Sequence, residues 1–147
     1  MKKFNNKKKG KFRSLLEFSV NWQLIAKKRK IKFKHFYELD KLFYGLVTVK
    51  DQKVVIVPRT YNPDFTIINK DGTRWFLEVK GYFPEEQREK MLAVKNDWSE
   101  DIIRFYFAKD NYIRGRRGPR YSDWCIKHGF EYCVGQLPEE WFNGSTN

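Results

Sequence analysis

One stretch, Tyr61–Gly81, constrains the fold more than any other. It reads Tyr-Asn-Pro-Asp-Phe, a short apolar run, Lys-Asp-Gly-Thr, then Trp-Phe-Leu-Glu-Val-Lys-Gly. This is the pattern of two short strands joined around Lys70–Thr73. Residues two apart on a strand share a face, so Glu78 and Lys80 project together while Val79 turns into the core. The turn decides whether Asp64 joins them. A two-residue turn at Asp71-Gly72 pairs Asp64 with Val79 and sends the carboxylates to opposite faces. A three-residue loop, Lys70-Asp71-Gly72, pairs Asp64 with Glu78 and aligns them. That loop needs a left-handed residue at its third position, where Gly72 stands. The same register gathers Phe65, Ile67, Trp75, Leu77 and Val79 on one apolar face. Parity and hydrophobic pattern therefore agree on the three-residue loop.

Carboxylates aligned in this way suit hard divalent ions. Asp64 and Glu78 can hold Mg2+, or Mn2+, with positions left open for water and a phosphate oxygen. Such an ion lowers the pKa of its water and stabilises charge on a pentacoordinate phosphorus, and a second ion serves the leaving oxygen. One or two ions per site are thus expected. Lys80 can orient the attacking water, offset the developing charge or, with its pKa lowered, act as a general base. The competing reading of the same residues is a salt-bridged surface hairpin.

The charge of the chain favours the first reading. Net charge is +12 over 147 residues, which points to a polyanionic partner. No apolar run approaches the length of a membrane span, and no apolar segment follows the basic N-terminus as a signal peptide requires. Nucleic acid is therefore the expected partner and a membrane is not. Residues 1–13 hold seven basic residues and no acid. This arm has almost nothing to bury; it is expected to be disordered alone and to lie along phosphates through Lys7, Lys8, Lys9, Lys11 and Arg13. Two cysteines make no disulfide framework, so a reduced, cytoplasmic setting is the default. Cys125, His128 and Cys133 offer only three soft ligands and no evident fourth, which makes zinc a poor reading.

Residues 14–147 read as a single domain of α/β character. Ser14 is a candidate N-cap for a helix to about Lys30. That helix carries two apolar stripes, Leu15, Phe18, Trp22, Ile25 and Ala26 on one side and Leu16, Val20 and Leu24 on the other. A helix apolar on two sides is either deep in a core or shared with a partner chain. Glu17 lies at the edge of the second stripe, where a nearby lysine would be its ordinary companion. His35–Leu39 reads as a short strand with a structural histidine. Phe43–Val49 and Val54–Val57 are β-type runs, either a hairpin or an extended excursion pairing with another chain, with Pro58 ending the second. Pro84 opens a helix bearing Arg88 and Lys95, and Ile102–Ala108 is a buried strand. Arg114-Gly115-Arg116-Arg117-Gly118-Pro119-Arg120 is a flexible loop whose guanidiniums suit bidentate phosphate contacts. A short helix over Ser122–Lys127, a strand over Phe130–Val134 and a helical turn at Pro138–Trp141 complete the chain.

Pro63-Asp64 followed by Glu78-Val79-Lys80 resembles the PD-(D/E)xK nuclease superfamily. The order of Phe12-Arg13-Ser14-Leu15-Leu16-Glu17, Tyr61–Phe65, Glu78–Gly81, Tyr121–His128 and Leu137–Trp141 is similar to the phage endodeoxyribonuclease I family of Holliday-junction resolvases. The resemblance runs from about Lys11 to Trp141. It implies a restriction-endonuclease-like core, a mixed β-sheet flanked by helices, in an intertwined homodimer. It also implies metal-dependent nicking of four-way junctions and other branched DNA. Asp64, Glu78 and the Val79 backbone carbonyl would be metal ligands, Lys80 the catalytic lysine, and Glu17 an additional catalytic carboxylate from the first helix. Arg88, Lys95, Arg114, Arg116, Arg117 and Arg120 would join the basic arm on DNA. The segment before Tyr61 is longer than the family's bridging strand. Two other readings share these residues: a superfamily nuclease with a transposase-associated or restriction-type target, and a non-catalytic basic DNA-binding module.

Overall fold

In a computed structural model, which describes residues 10–143, the central hairpin is formed by β4 (Phe65–Asn69) and β5 (Arg74–Lys80). Its register pairs Phe65 with Leu77 and Ile67 with Trp75. The connection is the three-residue loop expected from parity: Asn69 N–H donates to the Thr73 carbonyl at 2.9 Å, and Gly72 has φ +88°. A Cβ at Gly72 would meet nothing within 4 Å. Gly72→Ala therefore isolates the left-handed backbone, and its expected cost is about 1–2 kcal/mol in urea unfolding. No loss at all would mean the loop rearranges freely.

The hairpin is the middle of a five-stranded mixed sheet in the order β1-β4-β5-β6-β7. β1 (Phe33–Tyr37) runs antiparallel to β4, whereas β6 (Ile102–Phe107) and β7 (Glu131–Val134) continue parallel from β5. Parallel neighbours need crossovers, supplied by α2 (Glu85–Asp97) and α3 (Tyr121–His128). Both pack on one face of the sheet, over Phe76, Phe105 and Phe107. α1 (Leu15–Lys27) and the closing 3-10 turn Glu139–Phe142 cover the other face, over Phe65, Ile67, Trp75 and Leu77. Strand alternation thus fills two cores. Each fully buried Phe or Leu there contributes about 1.5–3 kcal/mol. Cys125 lies in one core and Cys133 in the other. Both are free thiols, and burial pushes both up to about 12.

α1 starts where expected, with the Ser14 hydroxyl accepting from the Glu17 N–H at 3.1 Å, but it ends at Lys27 rather than Lys30. The stripe of Val20 and Leu24 is the one that docks, while Trp22 on the other stripe is 56% exposed. The strand expected at His35–Leu39 is shifted to Phe33–Tyr37 because its register is set by β4. His35 is structural: one ring nitrogen bonds the Asn21 side-chain oxygen at 2.8 Å. Burial, then Lys28 and Lys11, lower its pKa to about 4.

The excursion is a hairpin within the chain. β2 (Leu42–Lys50) pairs with β3 (Lys53–Tyr61) around a two-residue turn, Asp51-Gln52, with both residues at positive φ. Pro58 does not end the strand. It pairs with Gly45, whose N–H turns outward to Asp97 Oδ2 at 2.7 Å. The missing N–H of proline then removes no ladder bond. Leu42, Tyr44 and Tyr61 fix the root of this hairpin in the α2-side core. Its other face is apolar and open, through Phe43, Val47, Val49, Val54 and Ile56.

Candidate active site

The sequence-predicted carboxylates meet where β1, β4 and β5 come to a common end. Continuing the β4–β5 register by one step sets Asp64 opposite Glu78, and continuing β1–β4 by one step sets Asp64 opposite Glu38. Three acids, Glu38, Asp64 and Glu78, therefore form a row across three neighbouring strands, with Cβ spacings on the order of 5 Å. Backbone bonds hold the row: Glu38 N–H donates to the Asp64 carbonyl at 3.0 Å, and Asp64 N–H donates to Glu78 Oε1 at 3.3 Å. Glu38 has φ +49°, a bend that ends β1 and turns its side chain toward α1. There it meets Glu17, which is 6% exposed and accepts from the Ser14 hydroxyl at 3.2 Å and the Tyr37 hydroxyl at 3.4 Å. One carboxylate oxygen each from Glu17, Glu38 and Asp64 lie within 4.8 Å of one another.

Glu78 is more deeply set, with 3% exposure. The buried Tyr61 hydroxyl donates to its Oε1 at 2.5 Å, and the Lys80 ammonium lies 3.2 Å from its Oε2. Lys80 also donates to Gln87 Oε1 at 2.7 Å, so the first turn of α2 fixes its position. Asp64 Oδ2 accepts from the Val79 N–H at 2.8 Å. N–H and C=O of one strand residue point to the same edge, which puts the Val79 carbonyl on the side of Asp64 as well.

Four carboxylates here face few cations, chiefly Lys80 and an Arg13–Glu38 ion pair at 2.6 Å. Burial, followed by the charge of Glu78, pushes the Asp64 carboxyl well above its usual range; Glu17 adds to this, while the Val79 N–H and Lys80 oppose it. Burial and Glu78 likewise raise the Tyr61 phenol, which stays a donor. In a chain of net charge +12, a buried knot of like-charged acids is costly unless a cation neutralises it.

A family model described as Phage endonuclease I matches residues 1–147. The chain belongs to the phage endonuclease I family. It is 33% identical over 136 residues to Endonuclease I of Escherichia phage T7, which covers 92% of this chain and 80% of that protein. It is 32% identical over 131 residues to Endodeoxyribonuclease 1 of Enterobacteria phage T3, covering 86% and 74%. As a phage endonuclease I family member the protein is a nuclease, and its acid cluster has the all-oxygen, net-negative donor set that fits a hard divalent cation. No helix among the described residues is long and apolar enough to cross a membrane.

Three residues at this site escape sequence reasoning: Glu38, Tyr61 and Gln87. Tyr61 had a signal, since it opens the Tyr-Asn-Pro-Asp motif. Gln87 stands in the first turn of a helix that begins just after Lys80. Glu38 had none, because only the pairing of β1 with β4 sets it beside Asp64.

The basic residues divide. Lys7, Lys8 and Lys9 lie outside the described residues. Arg114, Arg116 and Arg117 are exposed at the tip of a loop closed at its base by the Tyr112–Arg120 bridge and by Ile113 N–H to Pro119 O at 2.9 Å. Lys11 is exposed near the Phe12 and Tyr37 rings, and Arg13 is held against Glu38. Arg88 donates to the Phe83 carbonyl at 2.9 Å. Lys95 is committed elsewhere: it donates to the His128 and Gly129 carbonyls at 2.6 and 2.8 Å, closing the end of α3 over Phe130.

The raised Asp64 carboxyl gives the cation a pH signature. Protons and a divalent cation held at this cluster would compete for the same oxygens, so Mg2+ is expected to bind better as Asp64 ionises with rising pH. The increase in melting temperature on adding Mg2+ is expected to be larger at pH 8 than at pH 6 by several degrees. An equal increase at both would place the ion away from Asp64.

Proposed function

We propose that this protein is a metal-dependent endodeoxyribonuclease that nicks four-way junctions and other branched DNA, acting as a homodimer in the host-cell cytoplasm. The observation that carries the reading is the row Glu38–Asp64–Glu78, with Glu17 above Asp64 and Lys80 beside Glu78. Asp64, shared by both sides, would hold Mg2+ or Mn2+ with Glu17 and Glu38 on one side and with Glu78 and the Val79 carbonyl on the other. When bound, such an ion polarises a phosphate oxygen and lowers the pKa of a water. The chain's own groups orient the rest. Lys80, pinned between Glu78 and Gln87, presents its remaining N–H to a phosphate oxygen and offsets the negative charge that builds as the bond to phosphorus forms. Tyr61 fixes the carboxylate plane of Glu78 by donating to one oxygen. Arg114, Arg116 and Arg117 take phosphates of the flanking backbone.

Dimer formation is supported by the open apolar face of the β2–β3 hairpin. Glu17 reaches Asp64 within one chain, which supports a site built from one chain's own residues; an exchanged strand would bring the same Glu17 from the partner. Junction cleavage draws on a pair of such sites acting on one branched substrate. The test is incubation of labelled four-way junctions and linear duplex of the same sequence with Mg2+. Nicking of the junction at least about tenfold faster than of the duplex is expected. Equal cutting of both removes junction selectivity, and cutting at one fixed sequence in linear duplex favours a restriction-type target. Absence of any cleavage favours the DNA-binding module.

A further inference from the structure

The strand that ends in Lys80 leads directly into a second feature that the cleavage chemistry does not use. Tyr82, two residues on, is 75% exposed, an unusual placement for a large ring beside a buried site. It borders an open groove of ≈ 600 Å3 that is also lined by Lys109, Asp110, Asn111, Tyr112, Gly115 and Arg120, the Asp110 carboxylate being taken up by the Ser122 N–H and hydroxyl. The volume falls in the range of small-ligand pockets. Part of its lining is tied to the sheet. Asn111 Nδ2 reaches the Gly81 carbonyl at 3.5 Å, and the Ala108 N–H donates to the Lys80 carbonyl at 3.2 Å, which ties this wall to the end of β5. On the opposite side Arg120 lies 4.3 Å over the Tyr112 ring, and its Nη2 donates to the Tyr112 hydroxyl at 2.7 Å. The stacked pair is a flat, cationic platform. Lys109 adds a second charge, and Gly115, at φ +62°, carries no side chain to fill the space.

Aromatic rings and a stacked guanidinium, rimmed by positive charge, are the chemistry that holds an unpaired base: the π-face of the base stacks while its phosphates stay at the rim. The pocket is also within reach of the chemistry. Two residues of extended chain span at most about 7 Å, so a nucleotide adjoining the phosphate at Lys80 comes to Tyr82. Paired duplex offers only base edges, whereas a branch point, bulge or gap offers a free face.

From this juxtaposition we infer that the groove between Tyr82 and the Tyr112–Arg120 pair receives an unpaired nucleobase next to the scissile phosphate. The inference rests on the reading of the protein as a DNA endonuclease and gives that reading a physical source for branched over linear substrates. Tyr82 and Tyr112 are then binding residues, with Asn111 placed to meet the edge of the stacked base.

The test uses the full chain carrying Lys80→Ala, so that DNA stays intact, and a duplex with one bulged fluorescent purine analogue. Stacking on tyrosine is expected to quench the analogue at least twofold on binding. Adding Tyr82→Ala abolishes the quench and weakens binding of the bulged duplex about tenfold, whereas Tyr82→Phe, which keeps the ring, preserves both. Affinity for the fully paired duplex changes less than twofold, and an unchanged melting temperature shows that the fold is intact. A quench that survives Tyr82→Ala, or equal loss on bulged and paired DNA, overturns the pocket. With Lys80 restored, a protein that still selects junctions after Tyr82→Ala leaves the nuclease reading standing and this inference refuted. A wild-type protein that cuts no DNA refutes both.

Discussion

Glu78→Gln is expected to reduce DNA cleavage by at least about 10³-fold and to leave the ion-free protein as stable as the parent, or more so. The two halves of this expectation have one cause. Glutamine keeps an oxygen to accept from the Tyr61 hydroxyl, so the buried hydrogen bond at 2.5 Å has a successor. What disappears is one negative charge from a cluster in which Glu78 is the largest charge acting on Asp64. The Asp64 carboxyl then falls back toward its ordinary range, and the strain of holding like charges together is relieved. Activity is lost because the row no longer has the charge to hold a divalent ion against solvent, and because Lys80 loses the partner at 3.2 Å that aims it. Cleavage rates on a labelled junction, and melting curves with and without Mg2+, check both halves. The Mg2+-induced rise in melting temperature should shrink or vanish in the variant. A variant that melts lower and still responds to Mg2+ would mean that Glu78 is a structural acid and that the ion sits on Glu17, Glu38 and Asp64 alone.

The hairpin of the candidate site was legible in the sequence because its constraints are local. Parity, Gly72 at a position that needs positive φ, and the apolar set Phe65, Ile67, Trp75, Leu77 and Val79 all act within seventeen residues. The position of Glu17 was not legible from spacing, since it depends on how α1 crosses the sheet; only the motif resemblance raised it above an ordinary helical glutamate. Glu38 was invisible for the same physical reason. Its role comes from β1 lying against β4, a contact between segments about thirty residues apart, and from a bend that no glycine announces. Lys95 shows the converse ambiguity. A cation on a basic protein invites a phosphate contact, yet the ends of helices need cations too, and the α3 carbonyls at His128 and Gly129 hold this one. Sequence left the 42–57 excursion undecided between hairpin and exchanged strand, because both pair the same β-branched runs into a ladder. Asp51-Gln52, both at positive φ, closes the hairpin in this chain.

That hairpin carries the second large effect. The double substitution Val47→Lys with Ile56→Thr is expected to convert a species of about twice 17.9 kDa into one of 17.9 kDa and to abolish coordinated junction cleavage with each site still intact. Phe43, Val47, Val49, Val54 and Ile56 are each 65–73% exposed and lie on one face of β2–β3. No charged residue interrupts that face between Phe43 and Pro58 on either strand, in a chain that is 33% charged. Together the five side chains present on the order of 500 Å2 of apolar surface, at the upper end of what a monomer leaves uncovered. A standard interface takes about 800 Å2 from each partner, so two such faces stacked about their twofold supply most of a dimer. Val47 and Ile56 are direct cross-strand partners at the centre of the face. Lysine there must desolvate on contact, while threonine opposite keeps β propensity and avoids a second charge, so the hairpin itself persists. Sedimentation or light scattering reads the mass, and nicking of a pre-unpaired single strand reads the isolated site. A variant that stays dimeric would assign the interface to another surface. One that becomes monomeric and still cuts both strands of a junction in a single encounter would show that one site suffices, and the homodimer would then have no part in resolution.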